Sequence, residues 1–191
     1  DRFKMALVAQ EEEQRKENSS LWQPGHAGEQ WRDGLSVNPE TLEYGDKKAE
    51  IIDFAIVDRT GKITNVVQKG EVFTIKMKVL FQEAVSEPIF AFTLKNLMGI
   101  ELTGTNTMLE KQPVEPKNAG DIQVVSFTQK MTLQGGEYLL SMSCTGFEMG
   151  EHTVYHRLYD IASITVISNK NTVGVYDMES QVEAIKTVTD A

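Results

Sequence analysis

From Glu50 to Ser168 apolar residues recur at every second position, in short runs broken by Gly and Pro. Ile52, Phe54 and Ile56 alternate. So do Phe73, Ile75, Met77, Val79 and Phe81, then Phe90, Phe92 and Leu94, then Tyr138, Leu140, Met142 and Cys144. A period of two puts one face inward and one outward. Repeated along one chain, it predicts two antiparallel sheets packed face to face, an all-β, immunoglobulin-like sandwich. Strands are expected near 49–58, 71–83, 89–97, 100–108, 121–131, 136–146 and 153–168. Asp58-Arg59-Thr60-Gly61 reads as a β-turn, Met98-Gly99 as a tight hairpin, and Gln134-Gly135-Gly136 as the next hairpin.

The flanks differ in composition. Residues 1–20 are polar and charged, with Phe3, Leu7 and Val8 at helical spacing, and read as a short helical tether. The alternative is a helix that packs on a neighbouring domain. Asp1 is not an initiator methionine, so a fragment or processed chain is expected. Residues 21–48 read as a linker rich in Gly and Pro, yet they hold both tryptophans, Trp22 and Trp31. Either these staple the linker onto the sandwich or one stacks on a ligand. The tail, 169–191, carries Val173, Val175, Tyr176 and Met178 after a polar hinge. It is expected to add a strand, to its own sheet or by exchange to a partner's.

Charge narrows the function. A net charge of −9 opposes nucleic-acid binding, and no basic run would dock on an anionic membrane. A neutral ligand meets the least electrostatic resistance. The single cysteine, Cys144, falls on an apolar strand face and reads as a small buried hydrophobe. His152 and His156 share a spacing of four but lack a third ligand, so no metal site is expected. No phosphate loop, catalytic triad or paired carboxylate can be assembled, and no cofactor is called for. An enzyme is unsupported; recognition is the better starting point.

The polar strand faces carry more. With the apolar sets inward, Ala91, Thr93 and Lys95 point outward on one strand. Leu139, Ser141, Ser143 and Thr145 point outward on a second, and Ile161, Ser163 and Thr165 on a third. An immunoglobulin-like order places these strands in one sheet. Its outer face is then small, hydroxyl-rich and nearly uncharged, suited to a neutral hydroxylated ligand or to plain solvation.

A larger pattern adds to this. Pro88-x-Phe90-x-Phe92 precedes the Gly99 turn, and Gly104-Thr105-Asn106-Thr107 follows. Then come Phe127, Leu133, Gly136-Glu137-Tyr138 and His156-Arg157-Leu158-Tyr159-Asp160. In that order, over about residues 49–168, they resemble the C-terminal domain of Wzt, the nucleotide-binding subunit of O-antigen polysaccharide ABC transporters. The likeness is greatest to the polymannose O-antigen exporters. The resemblance implies a carbohydrate-binding module, with the ATPase domain lying before the tether. It implies recognition of the capped non-reducing end of a lipid-linked O-antigen in the cytoplasm, at the inner face of the inner membrane. It also implies a homodimer that meets the transporter's transmembrane subunit through the ATPase domain. The alternative is a dimerisation module without glycan specificity.

The residues expected to hydrogen-bond the glycan are Thr93, Lys95, Ser141, Ser143, Thr145, Ser163 and Thr165. Lys95 would also suit an anionic cap. Tyr155, His156 and Arg157 are expected from a flanking loop, where bracing the loop is the competing role. Trp31 is a further stacking candidate. The family pattern often has Gly where this chain has Ala91, which puts a methyl group on the proposed face.

Overall fold

The computed structural model describes residues 30–185. The expected N-terminal helix and Trp22 lie outside the described residues.

A short 3₁₀ turn, Trp31–Gly34, leads into nine strands among the described residues. They are β1 (Leu42–Tyr44), β2 (Ala49–Val57), β3 (Val66–Gln68), β4 (Val72–Phe81), β5 (Ile89–Asn96), β6 (Glu101–Asn106), β7 (Ile122–Lys130), β8 (Gly136–Glu148) and β9 (Glu151–Ile167). One sheet runs β1-β9-β8-β5-β6, with β3 also pairing β9, and the other runs β2-β4-β7. All pairings are antiparallel except β3 with β9. Each strand expected from the alternation is present. The two additions, β1 and β3, are short and sit in stretches with no run of alternating apolar residues to announce them.

The inner faces interlock through aromatic edges. Phe92 of the larger sheet meets Phe127 of the smaller at 5.2 Å and 65°, and Phe81 meets Phe90 at 6.4 Å and 85°. Such pairs add about 0.5–1.5 kcal/mol beyond the area they bury. Cys144 is fully buried among them, and burial pushes its thiol pKa up. That is the inert hydrophobe the sequence suggests.

Bulges correct the expected register in two strands. In β2 the pairing slips between Ile51 and Asp53. Ile51 therefore joins the core with Phe54 and Ile56, while the expected Ile52 is only half-buried. In β9 the pairing slips between Leu158 and Ala162. Ile161, expected outside, is buried as a result. The Gln134-Gly135-Gly136 segment is also not a hairpin. It carries the chain from the smaller sheet to the larger one, since β7 and β8 belong to different sheets.

The bulged Asp53 fastens the linker. It is 3% exposed and accepts hydrogen bonds from the backbone N–H of Trp31 at 2.9 Å, Arg32 at 3.2 Å and Phe54 at 2.9 Å. Trp31 is thereby laid on Ala55 and Val57, with Ile63 beside it and Lys78 Nζ 4.3 Å from the ring centre. These residues lie on the outer side of β2, in the sheet opposite the hydroxyl-bearing one. Trp31 is a staple, and the expectation of a ligand-stacking role for it is corrected.

Within one chain the tail forms a single bridge, Leu133 with Tyr176, rather than a strand. Its anchor is Asp177, whose carboxylate lies 3.1 Å from both Lys69 Nζ and Lys170 Nζ and accepts from the Glu179 N–H at 2.8 Å. Together the Glu179 N–H and the two lysines pull the Asp177 pKa down to about 2. A carboxylate with a depressed folded pKa contributes its stability above the unfolded value, near 3.8, and loses it as pH falls towards 2. The tail should therefore detach between about pH 4 and pH 2, measured as proteolysis after residue 168. Asp177→Asn should leave the tail cleavable at neutral pH; equal resistance in the variant would contradict the anchor.

Candidate functional site

The outer face of β6, β5, β8 and β9 is a grid fixed by register. One row reads Asn106, Ala91, Ser143 and Arg157. The next reads Gly104, Thr93 and Ser141, closed on the β9 side by the bulge at Tyr159 and Asp160. The third reads Glu101, Lys95, Leu139 and Ser163. Small side chains make the floor and long ones the rim. An open concavity of about 380 Å³ lies over the β5–β6 half, lined by Ala91, Thr93, Glu101, Gly104 and Asn106 among others.

Two glycines permit this shape. A Cβ on Gly104 would stand 2.5 Å from the Phe92 carbonyl oxygen, so only glycine lets β6 lie this close to β5. Gly45, at φ +128°, would place a Cβ 2.3 Å from the Tyr155 carbonyl oxygen. It lets the chain stay against β9 beyond Tyr44, where the Asp46 and Lys47 N–H groups donate to the Val154 and Tyr155 carbonyls.

A polar cluster forms at the β9 bulge. Asp160 takes a left-handed conformation, φ +53°, which costs about 1–2 kcal/mol for most residues and least for Asn and Asp. Ser141 meets part of that cost. Its Oγ accepts from the Asp160 N–H at 2.9 Å and donates to Asp160 Oδ1 at 3.1 Å. Lys95 Nζ reaches the same Oδ1 at 3.2 Å and lies 5.3 Å from the Tyr159 ring centre. Arg157 also stands against that ring, at 5.8 Å, and its Nη1 donates to the Tyr159 hydroxyl at 3.4 Å.

The face thus brings Thr93, Lys95, Ser141, Ser143 and Arg157 together. Thr145 shares it one row further along, opposite Ile89. Ser141, Ser143 and Thr145 are 7%, 6% and 4% exposed, deeper than an open hydroxyl surface would leave them. Ser163 and Thr165 are set apart. Thr165 lies where β3 joins β9, its hydroxyl spent on Glu137 at 2.6 Å, and Ser163 sits at the far end of the third row, beyond Leu139. The face is also more charged than expected, because Lys95, Asp160, Arg157 and Glu101 all reach it.

Tyr155, His156 and Arg157 lie within β9 itself, not in a flanking loop. Tyr155 is buried over Gly146; desolvation first, then the nearby Glu148 charge, push its pKa up to about 12. His156 is 1% exposed. Its Nδ1 accepts from the Ile51 N–H at 2.9 Å and ties β9 to the opposite sheet. Burial lowers its pKa, against the pull of Glu43, 3.7 Å from Nε2. Both are interior braces. Sequence reasoning missed Tyr159 and Tyr44. Tyr44 pairs with Arg157 from β1 and is 62% exposed, an aromatic ring at the edge of the face. The only signal for it was an aromatic residue just before a Gly turn.

The architecture is an immunoglobulin-like antiparallel β-sandwich with one open, polar, small-residue face. The family model for the Wzt C-terminal domain matches residues 40–178. A crystal structure of the C-terminal domain of Wzt superposes with a TM-score of 0.75 at 25% identity, covering 81% of this chain and 95% of that one. The chain belongs to the Wzt C-terminal domain family. A CARDB domain from Pyrococcus furiosus (TM-score 0.36, 15% identity, 62% of this chain and 90% of that one) is too distant to inform function. The same holds for a β-glucosidase from Listeria innocua (TM-score 0.32, 9% identity, 66% of this chain and 16% of that one). No curated protein sequence is significantly similar to the chain.

Replacing Gly104 with Ala should cost about 1–3 kcal/mol, because the clash is with backbone and strand β6 must shift. Urea denaturation reads this directly. A loss below about 0.5 kcal/mol, the usual range for a neutral surface change, would mean that the β5–β6 spacing is not set there.

Proposed function

We propose that this domain binds the end of an O-antigen polysaccharide on the outer face of β5, β6, β8 and β9, and does no covalent chemistry on it. Membership of the Wzt C-terminal domain family ties the chain to O-antigen ABC transport. The observation that carries the reading is the trough itself: a floor of Ala91, Thr93, Gly104, Ser141 and Ser143 rimmed by Lys95, Asp160, Arg157 and Tyr44. Sugar hydroxyls need paired donors and acceptors, and leaving one buried and unpaired costs about 1–3 kcal/mol. A site that pairs the terminal group therefore rejects chains that lack it. Aromatic rings at the rim add stacking for sugar faces.

In this reading the ligand is the capped non-reducing end of a lipid-linked glycan, met in the cytoplasm at the inner membrane. Its capture commits the polymer to export through the ATPase and transmembrane subunits, with the domain acting as a homodimer. Among the described residues no helix is long and apolar enough to cross a membrane.

A second reading, dimerisation without glycan specificity, draws on the exposed apolar side chains of the tail, Val173, Val175, Tyr176 and Met178. Chromatography on immobilised native O-polysaccharide separates the two. The chain should be retained, and Thr93→Trp, which fills the trough, should abolish retention while the circular dichroism spectrum stays unchanged. Passage of the unaltered chain without delay would leave only the dimerisation reading.

A further inference from the structure

We infer that Asp160 is a specificity-determining residue, which with Lys95 reads two adjacent uncharged hydroxyls on the terminal sugar and excludes an anionic end group. This rests on the glycan-binding reading above and deepens it.

Charge at the centre of the face points this way. Lys95 is the cation nearest the floor, with its side chain only 14% exposed. It is already countered by Asp160 at 3.2 Å. Glu101, its direct cross-strand partner on β6, projects from the same face. One ammonium among two carboxylates offers an incoming phosphate or carboxylate no net attraction. Such like-charge juxtaposition is a strong device for rejecting wrong ligands. Arg157, the other cation of the face, keeps its charge against the ring and hydroxyl of Tyr159, so two cations stand against the two carboxylates and the face carries no net positive charge.

The same pair suits a neutral diol. Both contacts to the Asp160 carboxylate, from Lys95 and from Ser141, fall on Oδ1. Oδ2 is the oxygen left to accept from a ligand hydroxyl, and the carboxylate is 35% exposed. The ammonium has three donors, so it can serve a neighbouring sugar oxygen while keeping Asp160. With the ammonium and the carboxylate joined through Oδ1 at 3.2 Å, the free acceptor and the free donors lie side by side, as an adjacent hydroxyl pair requires. The bulge is what aims Asp160 at this point. In a regular strand, residue 160 would face the side opposite to Tyr159.

The test uses the full 191-residue chain and two probes, inorganic phosphate and native O-polysaccharide. Asp160→Asn keeps a residue that tolerates φ +53°. Two-dimensional NMR with phosphate should show little change at Thr93, Lys95 and Arg157 in the unaltered chain. D160N should bind phosphate at least about tenfold more tightly. The double variant D160N/K95Q should lose that gain, and D160N should lose retention on the polysaccharide column. Equal phosphate binding by D160N and the unaltered chain would overturn the exclusion. Undiminished polysaccharide retention by D160N would overturn the hydroxyl contact. Failure of the unaltered chain to bind polysaccharide would instead remove the glycan-binding reading, and the substrate class with it, whatever phosphate does.

Discussion

Strand β9 pairs with β8 along nearly its whole length, and it manages this only by bulging. The slip between Leu158 and Ala162 sets residues 159–161 against Ser141 alone, so Leu158 and Ala162 both keep to the core, Ile161 is buried as well, and Asp160 is brought to the open face beside Tyr159 and Arg157. Ser141 bonds Asp160 at both its N–H and its carboxylate and holds the bulge in place. Without it the polar cluster would not assemble, because Lys95, Ser141 and Asp160 come from three neighbouring strands, β5, β8 and β9. One backbone irregularity therefore links the packing of the sandwich to the chemistry of its surface.

The opposite ends of the molecule are fastened by the same kind of device. Asp53 sits in a bulge of β2 and draws in the backbone of Trp31 and Arg32. Asp177 binds the returning tail to Lys69, a lysine whose side chain is only 8% exposed. In each case a carboxylate is satisfied by several donors, the arrangement that makes a buried charge tolerable. The first anchor lays the Trp31–Gly34 turn on the outside of the smaller sheet, and the second holds the tail at the β7–β8 connection, while β1 follows the edge of the larger sheet.

Much of this was legible in the chain. Period-two runs such as Phe73 to Phe81 and Tyr138 to Cys144 define strands because both faces are constrained, and those strands stand where alternation puts them. The alignment of Thr93 with Ser141 on one face follows from the same rule. Bulges were not legible. No residue type announces the slip at Asp53 or at Asp160: the first reverses the side-chain faces across it, which is why Ile51 takes the core place expected for Ile52, and the second crowds residues 159–161 against Ser141, which is why Ile161 is buried. Tyr155 and His156 looked like loop residues because their polarity masks burial. His156 earns its interior position only through the Ile51 N–H of the other sheet. Strand β1 was hidden because three residues beside a glycine carry no period, so the exposed ring of Tyr44 could not be foreseen.

The most direct measurement is a two-dimensional NMR titration of the chain with a soluble fragment of the native O-polysaccharide, including its non-reducing end. The account predicts shifts concentrated at Ala91, Thr93, Lys95, Gly104, Arg157 and Asp160. Shifts confined to Thr74, Thr128 and Lys130 on the opposite sheet, or none at saturating fragment, would contradict it.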